Sequence, residues 1–168
     1  MLHSGLDALW ASVHTLTQRV LTVADRDTFL DDCLDSLVEL VGANKGLIVL
    51  TDPSGGSYAV NARGSGRALS AHEREEISRT IIRDVGTSGA SLRWEPDLEG
   101  GTPSAAAFGI AAALASPIQT MSMSTGERRI RGVVYLDFRD VRREINVYHE
   151  QFLDIAANLI GVVLAQSE

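Results

Sequence analysis

Few residues of this chain have the types and spacing that catalysis requires. The single cysteine, Cys33, falls on the apolar stripe of a helical pattern, which predicts a buried thiol of low reactivity. Asp137 and Asp140 flank the end of a strand pattern and could form an acid/base pair, but turn capping explains both more simply. Ser104 lacks the residues of a nucleophile elbow. We therefore predict that the chain has no catalytic residues.

The sequence also predicts no metal or cofactor site. Its four histidines are His3, His14, His72 and His149. The last three fall on a helical pattern or in the first turn of one, where a solvated side chain is expected. No His-x-x-x-His, Glu-x-x-His or Cys-x-x-Cys spacing occurs, and the glycines at 64–66 and 100–101 lack the strand-to-helix context of a phosphate loop.

Composition narrows the class of protein and its partners. The 168 residues, of which 45% are hydrophobic and 22% charged, suit one domain with a sizeable core. A formal net charge of -7 argues against a nucleic-acid partner, which usually needs a basic patch. No apolar run approaches the roughly 20 residues of a membrane span, and no signal peptide is evident. We expect a cytoplasmic protein without a membrane partner.

Two helices are predicted at the start of the chain. The apolar residues of the first are spaced by three and four, as in a heptad seam: Leu6, Leu9, Val13, Leu16, Val20 and Val23. A dimerising helix has this pattern, and so has an amphipathic helix that lies on its own sheet. Asp25 to Asp27 provide a break and a cap for the second helix, whose apolar face runs from Phe29 to Val41 and which ends at Gly42.

A hairpin, a third helix and a loose segment follow. The apolar run 46–51 and residues 58–63 predict two antiparallel strands joined by a turn. Ser70 begins a capping-box pattern that opens a helix through Val85. A short strand is predicted within 90–94, before a loop and a helical turn.

Residues 130–138, IRGVVYLDF, are the most informative stretch. They alternate with a period of two, which predicts a strand with two unlike faces. The apolar face consists of Ile130, Val134, Leu136 and Phe138. The other face carries a cation, a phenol and a carboxylate among apolar groups, as the floor of a small cavity requires. A strand over 111–115 precedes this stretch, and a helix from about Asn146 follows it.

The order of these elements is that of an α+β domain with an antiparallel sheet. From about Ala24 onward the chain resembles the GAF domain family in three stretches, LVELVGANKGLIVLTD at 37–52, LASPIQT at 114–120 and GVVYLDF at 132–138. It is most similar to the GAF domains of bacterial enhancer-binding transcription activators with AAA+ output modules and of sensor kinases. This divides the chain into an N-terminal amphipathic, dimerising helix (1–24) and a GAF domain (25–168).

The resemblance implies an antiparallel sheet of five or six strands between two layers. The N- and C-terminal helices lie on one face, while one helix and variable loops cover the other and enclose a ligand chamber. The apolar face of 130–138 would then meet the helices and the mixed face the chamber. Residues expected to bind a small anionic or aromatic effector are Tyr135, Arg131, Val133, Trp94, Arg93 and Phe108. Aromatic side chains that simply plug the chamber are the alternative.

Several activities of the family do not suit this sequence. Family members that reduce methionine sulfoxide or hold a bilin need cysteines in the chamber, and Cys33 lies on the second helix. Asn44-Lys45 precedes the first strand and matches the cyclic-nucleotide pattern only in composition.

The sequence thus predicts a non-catalytic regulatory sensor, a homodimer that controls an attached, transcription-activating output module through its terminal helices. Residues expected at the dimer interface are Leu6, Leu9, Val13, Leu16, Val20, Ile155 and Leu159. A ligand-free dimerisation and protein-docking module is the alternative, and an enzyme is the least favoured class.

Overall fold

The computed structural model describes residues 2–22, 25–51, 57–64, 67–68, 70, 79–95, 109–139 and 145–166. Their helices are α1 (Leu2–Leu21), α2 (Arg26–Leu37, continued by a π-helical turn Val38–Gly42), α3 (Arg79–Ser88) and α4 (Val147–Gln166). The strands are β1 (Lys45–Thr51), β2 (Ser57–Gly64), β3 (Arg67–Ala68), β4 (Leu92–Trp94), β5 (Ala112–Met121) and β6 (Arg128–Phe138). They form one antiparallel sheet of order β3-β2-β1-β6-β5-β4, which confirms the predicted α+β fold. No helix in the described ranges has both the length and the apolar character of a bilayer span.

The main core lies between the sheet and helices α1, α2 and α4. Strand β6 contributes Val134, Leu136 and Phe138 to it, as predicted from the apolar face of the strand. Helix α4 approaches β5 so closely that a Cβ atom at Gly161 would overlap the carbonyl oxygen of Gln119. Only glycine permits this approach, which brings the C-terminal helix onto β5, next to the edge strand β4.

Helix α1 packs on α4 and α2 of its own chain. Leu9 and Leu16 are 9% and 1% exposed and belong to the main core. Their predicted place at a dimer interface is thereby corrected, because a side chain already enclosed by its own protomer has little surface left for a partner. Leu6, Val13 and Val20 are only half-buried.

A second core lies on the opposite face, where α3 covers the sheet. Ile81, Ile82 and Val85 supply the buried side of this helix. The first part of the predicted helix, residues 71–78, lies outside the described residues. Helix α3 extends past Gly86 to Ser88, and Gly89 with φ +70° follows it.

A β-bulge changes the predicted facing of Ile130. Gly132 pairs with Ile118 while Ile130 pairs with Gln119, so Arg131 is an extra residue in β6. One extra residue reverses the alternation. The Ile130 side chain consequently lies near Gly89, on the α3 side of the sheet, and not against the terminal helices as predicted.

The facing of β2, which the sequence left open, is fixed by contacts with α2. Asn61 Nδ2 donates to Asp31 Oδ1 at 2.5 Å, and Arg63 donates Nε and Nη2 to the two carboxylate oxygens of Asp35, each at 2.9 Å. Asn61 and Arg63 therefore point toward the helices and away from α3.

Candidate functional site

The α3 face of the sheet contains the candidate ligand chamber. Its floor is formed by side chains of β1, β5 and β6, and its cover by α3. The floor residues are Leu47, Val49, Ala113, Ala115, Val133 and Tyr135, all of them buried. Ala113 and Ala115 lie directly across from Asp137 and Tyr135 in the β5–β6 register. Small side chains on one strand thus adjoin large or charged ones on the next.

The charged end of this face is organised around Asp137. Its side chain is fully buried and accepts a 3.0 Å hydrogen bond from the Tyr135 hydroxyl. Arg139 Nη2 and Nε lie 3.5 Å from its two oxygens, and Lys45, itself 9% exposed, is its cross-strand partner on β1. Burial raises the pKa of Asp137, and the charge of Arg139 opposes that rise most strongly, before the hydrogen bonds from Arg139 and Tyr135 and the charge of Lys45.

This arrangement corrects the expectation that Asp137 caps a turn. Its backbone carbonyl accepts from the Asn44 N–H at 2.9 Å, but its carboxylate is held inside the sheet layer by Tyr135 and Arg139. Asp140 lies outside the described residues. The Tyr135 hydroxyl donates its proton to Asp137, so it is not available as a donor to a ligand.

Trp94 belongs to the same cluster as Val133 and Tyr135. It is 7% exposed, and its indole Nε1–H has no acceptor in the part of the chain that the structure describes. A buried donor without an acceptor carries a desolvation cost of about 1–3 kcal/mol, which a ligand atom with a lone pair would remove. The structure thus brings together three of the residues predicted to line the chamber.

Arg93 lies on the opposite face of the sheet, which corrects its predicted place in the chamber. Successive residues of a strand point to opposite faces, and its cross-strand partner Leu114 belongs to the main core. Arg93 Nη2 contacts Glu95 Oε1 at 2.8 Å, and Nη1 lies 3.7 Å from Glu150 Oε2 of α4.

The other two predicted ligand residues cannot be assigned to the floor. Arg131 is the bulge residue of β6 and is half-buried. Phe108 lies outside the described residues.

A family model described as GAF domain matches residues 25–164. The chain belongs to the GAF domain family. GAF domains are regulatory sensor domains that bind small ligands, and they are generally non-catalytic. No curated protein matches the chain.

Solved GAF domains share this fold at low sequence identity. The GAF domain of a phosphoenolpyruvate-protein phosphotransferase from Coxiella burnetii is 14% identical with TM-score 0.71, covering 95% of this chain and 94% of that one. The GAF domain of a putative sensor histidine kinase from Pseudomonas syringae is 12% identical with TM-score 0.71, covering 99% and 91%. GAF3 of Slr1393 from Synechocystis, in its photoproduct state, is 14% identical with TM-score 0.65, covering 85% and 95%.

A polar cluster that is not among the sequence predictions joins the edge of the GAF sheet to α4. Ser91 Oγ and Ser116 Oγ lie 2.6 and 2.8 Å from Asp154 Oδ1, and 3.1 Å from each other. A cavity of about 100 Å³ adjoins the cluster. The one available signal was the serine within the apolar run of β5, since a buried hydroxyl needs a partner.

A second cavity of about 160 Å³ lies between α1 and α4 and has an apolar lining. Its wall includes Trp10 and Tyr148, which are 63% and 46% exposed and are not among the residues predicted from the sequence. The same groove is lined by residues that are predicted for the dimer interface, among them Leu6, Val13 and Ile155.

Cys33 lies on α2, His14 on α1 and His149 on α4, where His149 is half-buried and not fully solvated as predicted. Cys33 is fully buried, and burial raises the pKa of its thiol to about 12. His14 is exposed, and His149 Nδ1 accepts from the Asn146 N–H at 3.3 Å at the start of α4. Among the described residues, no group of histidine, cysteine and carboxylate side chains could hold a metal ion.

Proposed function

We propose that this GAF domain is a non-catalytic sensor that binds a small effector between α3 and the sheet and controls an attached output module through α1 and α4. The observation that carries the proposal is that the two faces of β6 contact different layers of the domain. Val133 and Tyr135 face the chamber, while Val134 and Leu136, the residues between and beyond them, pack against the terminal helices. One strand therefore connects the effector side with the output side.

An aromatic effector with a hydrogen-bond acceptor fits this chamber better than an anion. The described wall is apolar and aromatic, Arg93 lies on the other face, and the unpartnered donor is the Trp94 indole N–H. Lys45 and Arg139 lie next to Asp137, and the carboxylate offsets one of their two charges.

Thermal unfolding with a metabolite panel tests effector binding. A specific ligand should raise the midpoint, since binding to the native state alone stabilises it. In a Trp10→Phe variant, Trp94 is the only tryptophan, so the same ligand should change its fluorescence. A panel of aromatic and anionic metabolites that changes neither signal would favour the ligand-free docking module, which the complete burial of Tyr135 also supports.

The proposed output is a transcription-activating module in the cytoplasm. Support comes from the resemblance to GAF domains of enhancer-binding activators, while a structural neighbour belongs to a putative sensor histidine kinase. Reading the gene product beyond this segment distinguishes the two: an AAA+ module supports the proposal, and a kinase module contradicts it.

We also propose that α1 and α4 form a homodimer interface. Leu6, Val13 and Val20 are spaced by seven and half-buried, in contrast to the enclosed Leu9 and Leu16. Helix α4 continues the surface with a second row spaced by seven, Tyr148, Ile155 and Val162, of which Tyr148 and Val162 are each 46% exposed. Two rows of this spacing suit a parallel helical bundle across a two-fold axis.

Light scattering of the purified protein at micromolar concentration tests the dimer. Val13→Glu and Ile155→Glu should each halve the mass, because each puts a charge in the proposed interface. Ala11→Glu adds the same charge to the exposed face of α1 and should leave the mass unchanged. Leu16→Glu is unsuitable, since Leu16 belongs to the core of the protomer. A wild-type monomer would contradict the proposal.

A further inference from the structure

We infer that residues 91–94, which are Ser91 and strand β4, couple the chamber to helix α4. Trp94 is the chamber-side residue, and Ser91 and Arg93 are the residues that hold the helix. The inference deepens the proposed function and rests on it in one respect, that the chamber is the effector site. It assigns a route from that site to the C-terminal helix and names the side chains that form it.

The contacts of residues 91–94 with α4 match the periods of an extended chain and a helix. Ser91 contacts Asp154, and Arg93 lies beside Glu150. Two residues along a strand span about 6.6 Å and four residues along a helix about 6 Å, so both pairs fit at once. The two contacts therefore hold the first turns of α4 to the edge of the sheet over a defined length.

Trp94 connects these contacts to the chamber. It is next to Arg93 in sequence but faces the α3 side, where its indole N–H has no acceptor among the described residues. A ligand atom in the chamber that accepts this hydrogen bond would attract the indole toward the ligand. Because the backbone is shared, the position of Arg93 changes with that of Trp94.

The place of β4 in the sheet allows such a movement. It is an edge strand of three residues whose only strand neighbour in the described sheet is β5. An edge strand can shift by breaking the backbone hydrogen bonds to its one neighbouring strand. By contrast, β6 is hydrogen-bonded to a strand on each side. Among the strands that contribute to the chamber, β4 is thus the one with the fewest sheet constraints.

Ser116 provides a matched control within the same cluster. Like Ser91 it donates to Asp154 Oδ1, but it belongs to the inner strand β5. Loss of either hydroxyl removes one hydrogen bond to Asp154 Oδ1 and the 3.1 Å contact between the two serines. The loss of Ser91 breaks the contact of residues 91–94 with Asp154, whereas the loss of Ser116 leaves it in place.

Hydrogen exchange of the 168-residue chain, without any ligand, tests the coupling. Trp94→Phe removes the indole N–H and should change amide exchange at the start of α4 by about twofold or more, in either direction. In a Ser91→Ala/Arg93→Gln background, Trp94→Phe should change amide exchange in α4 by less than about twofold. In a Ser116→Ala background it should act as in the wild type. Trp94→Leu repeats the comparison with a larger change on the chamber side.

Two results would overturn the inference. One is that neither Trp94 variant changes exchange in α4; the other is that the change persists when Ser91 and Arg93 are both replaced. Circular dichroism verifies that each variant is folded, and a variant that fails this control is replaced by the other Trp94 substitution. Because no ligand is used, a failure here is distinct from a failure of the metabolite screen, which tests the effector site itself.

Discussion

The hydroxyl of Tyr135 lies 3.0 Å from a carboxylate oxygen of Asp137, and both side chains are fully buried. Residues two apart in a strand point to the same side, so this bond lies on the α3 face of β6. The chamber floor therefore ends in a carboxylate whose charge is supported by Tyr135, Arg139 and Lys45. Its protonation depends on how well these groups compensate for burial.

The stability contributed by Asp137 should decline as the pH rises. Burial raises its folded pKa above 3.8, so its contribution is complete below that value and is lost as the pH passes through the folded pKa. We expect the unfolding free energy of Asp137→Asn, taken as the difference from wild type, to increase in favour of the variant from about pH 3 to about pH 7. Urea titrations at several pH values measure this difference, and a constant difference would contradict it.

Asp25 should show the opposite trend. Its side chain accepts hydrogen bonds from the Thr28 hydroxyl at 2.6 Å and from the Asp27 N–H at 3.1 Å at the start of α2. These bonds lower the pKa of Asp25, with Thr28 contributing most, so its stabilisation is present above 3.8 and is lost as the pH falls through the folded pKa. Asp25→Ala should lower the melting midpoint at neutral pH, and by less in acid.

Arg63→Lys should destabilise the fold by about 1 kcal/mol, because lysine cannot donate in parallel to both oxygens of a carboxylate. The Arg63–Asp35 pair joins β2 to α2 at two distances of 2.9 Å and is only partly exposed. Arg83→Lys is the control. Its ion pair with Asp84 is 3.9 Å long and exposed, and the substitution should change the urea midpoint little.

Gly161→Ala should destabilise the protein by about 1–3 kcal/mol, since the added methyl group must push α4 away from the Gln119 carbonyl. Gly5→Ala is the matched helical substitution in α1, where an added Cβ would have no atom within 4 Å. It should stabilise by up to about 1 kcal/mol through helix propensity alone. Equal effects of the two substitutions in chemical denaturation would disprove the close approach of α4.

Cys33 should resist thiol reagents in the native protein. Its pKa of about 12 leaves almost no thiolate at neutral pH, and its side chain is fully buried. Labelling with a chromogenic disulfide should follow global unfolding in urea. Rapid labelling of the native state would show that α2 opens locally.

The sequence predicts the facing of β6 from Val133 to Phe138 because alternation is a local property of a regular strand. It does not predict the bulge at Arg131, since one inserted residue leaves no change in composition. Alternation alone therefore puts Ile130 on the wrong face. The predicted strand at 111–115 stops before Pro117, but β5 continues through this proline. Strand β4 pairs only with Ala113 to Ala115, so no hydrogen bond to β4 requires the N–H that proline lacks.

Other differences come from information that one sequence does not carry. Arg93 and Trp94 are adjacent polar and aromatic residues, and only the pairing of β4 with β5 shows that they serve opposite faces. In α1, a heptad pattern indicates a helical partner without saying whether the partner is another copy or the same chain. In the structure, Leu9 and Leu16 are buried within their own chain, whereas Leu6, Val13 and Val20 remain partly exposed.

The described sheet ends at both edges in its shortest strands, Arg67–Ala68 and Leu92–Trp94. Unpaired backbone at a long, flat edge is what recruits strands from other molecules into fibrils. Edges of two and three residues offer a poor template for that process. The apolar side chains exposed on α1 and α4, among them Trp10, Tyr148 and Val162, therefore belong to a domain whose described sheet edges do not favour cross-β aggregation.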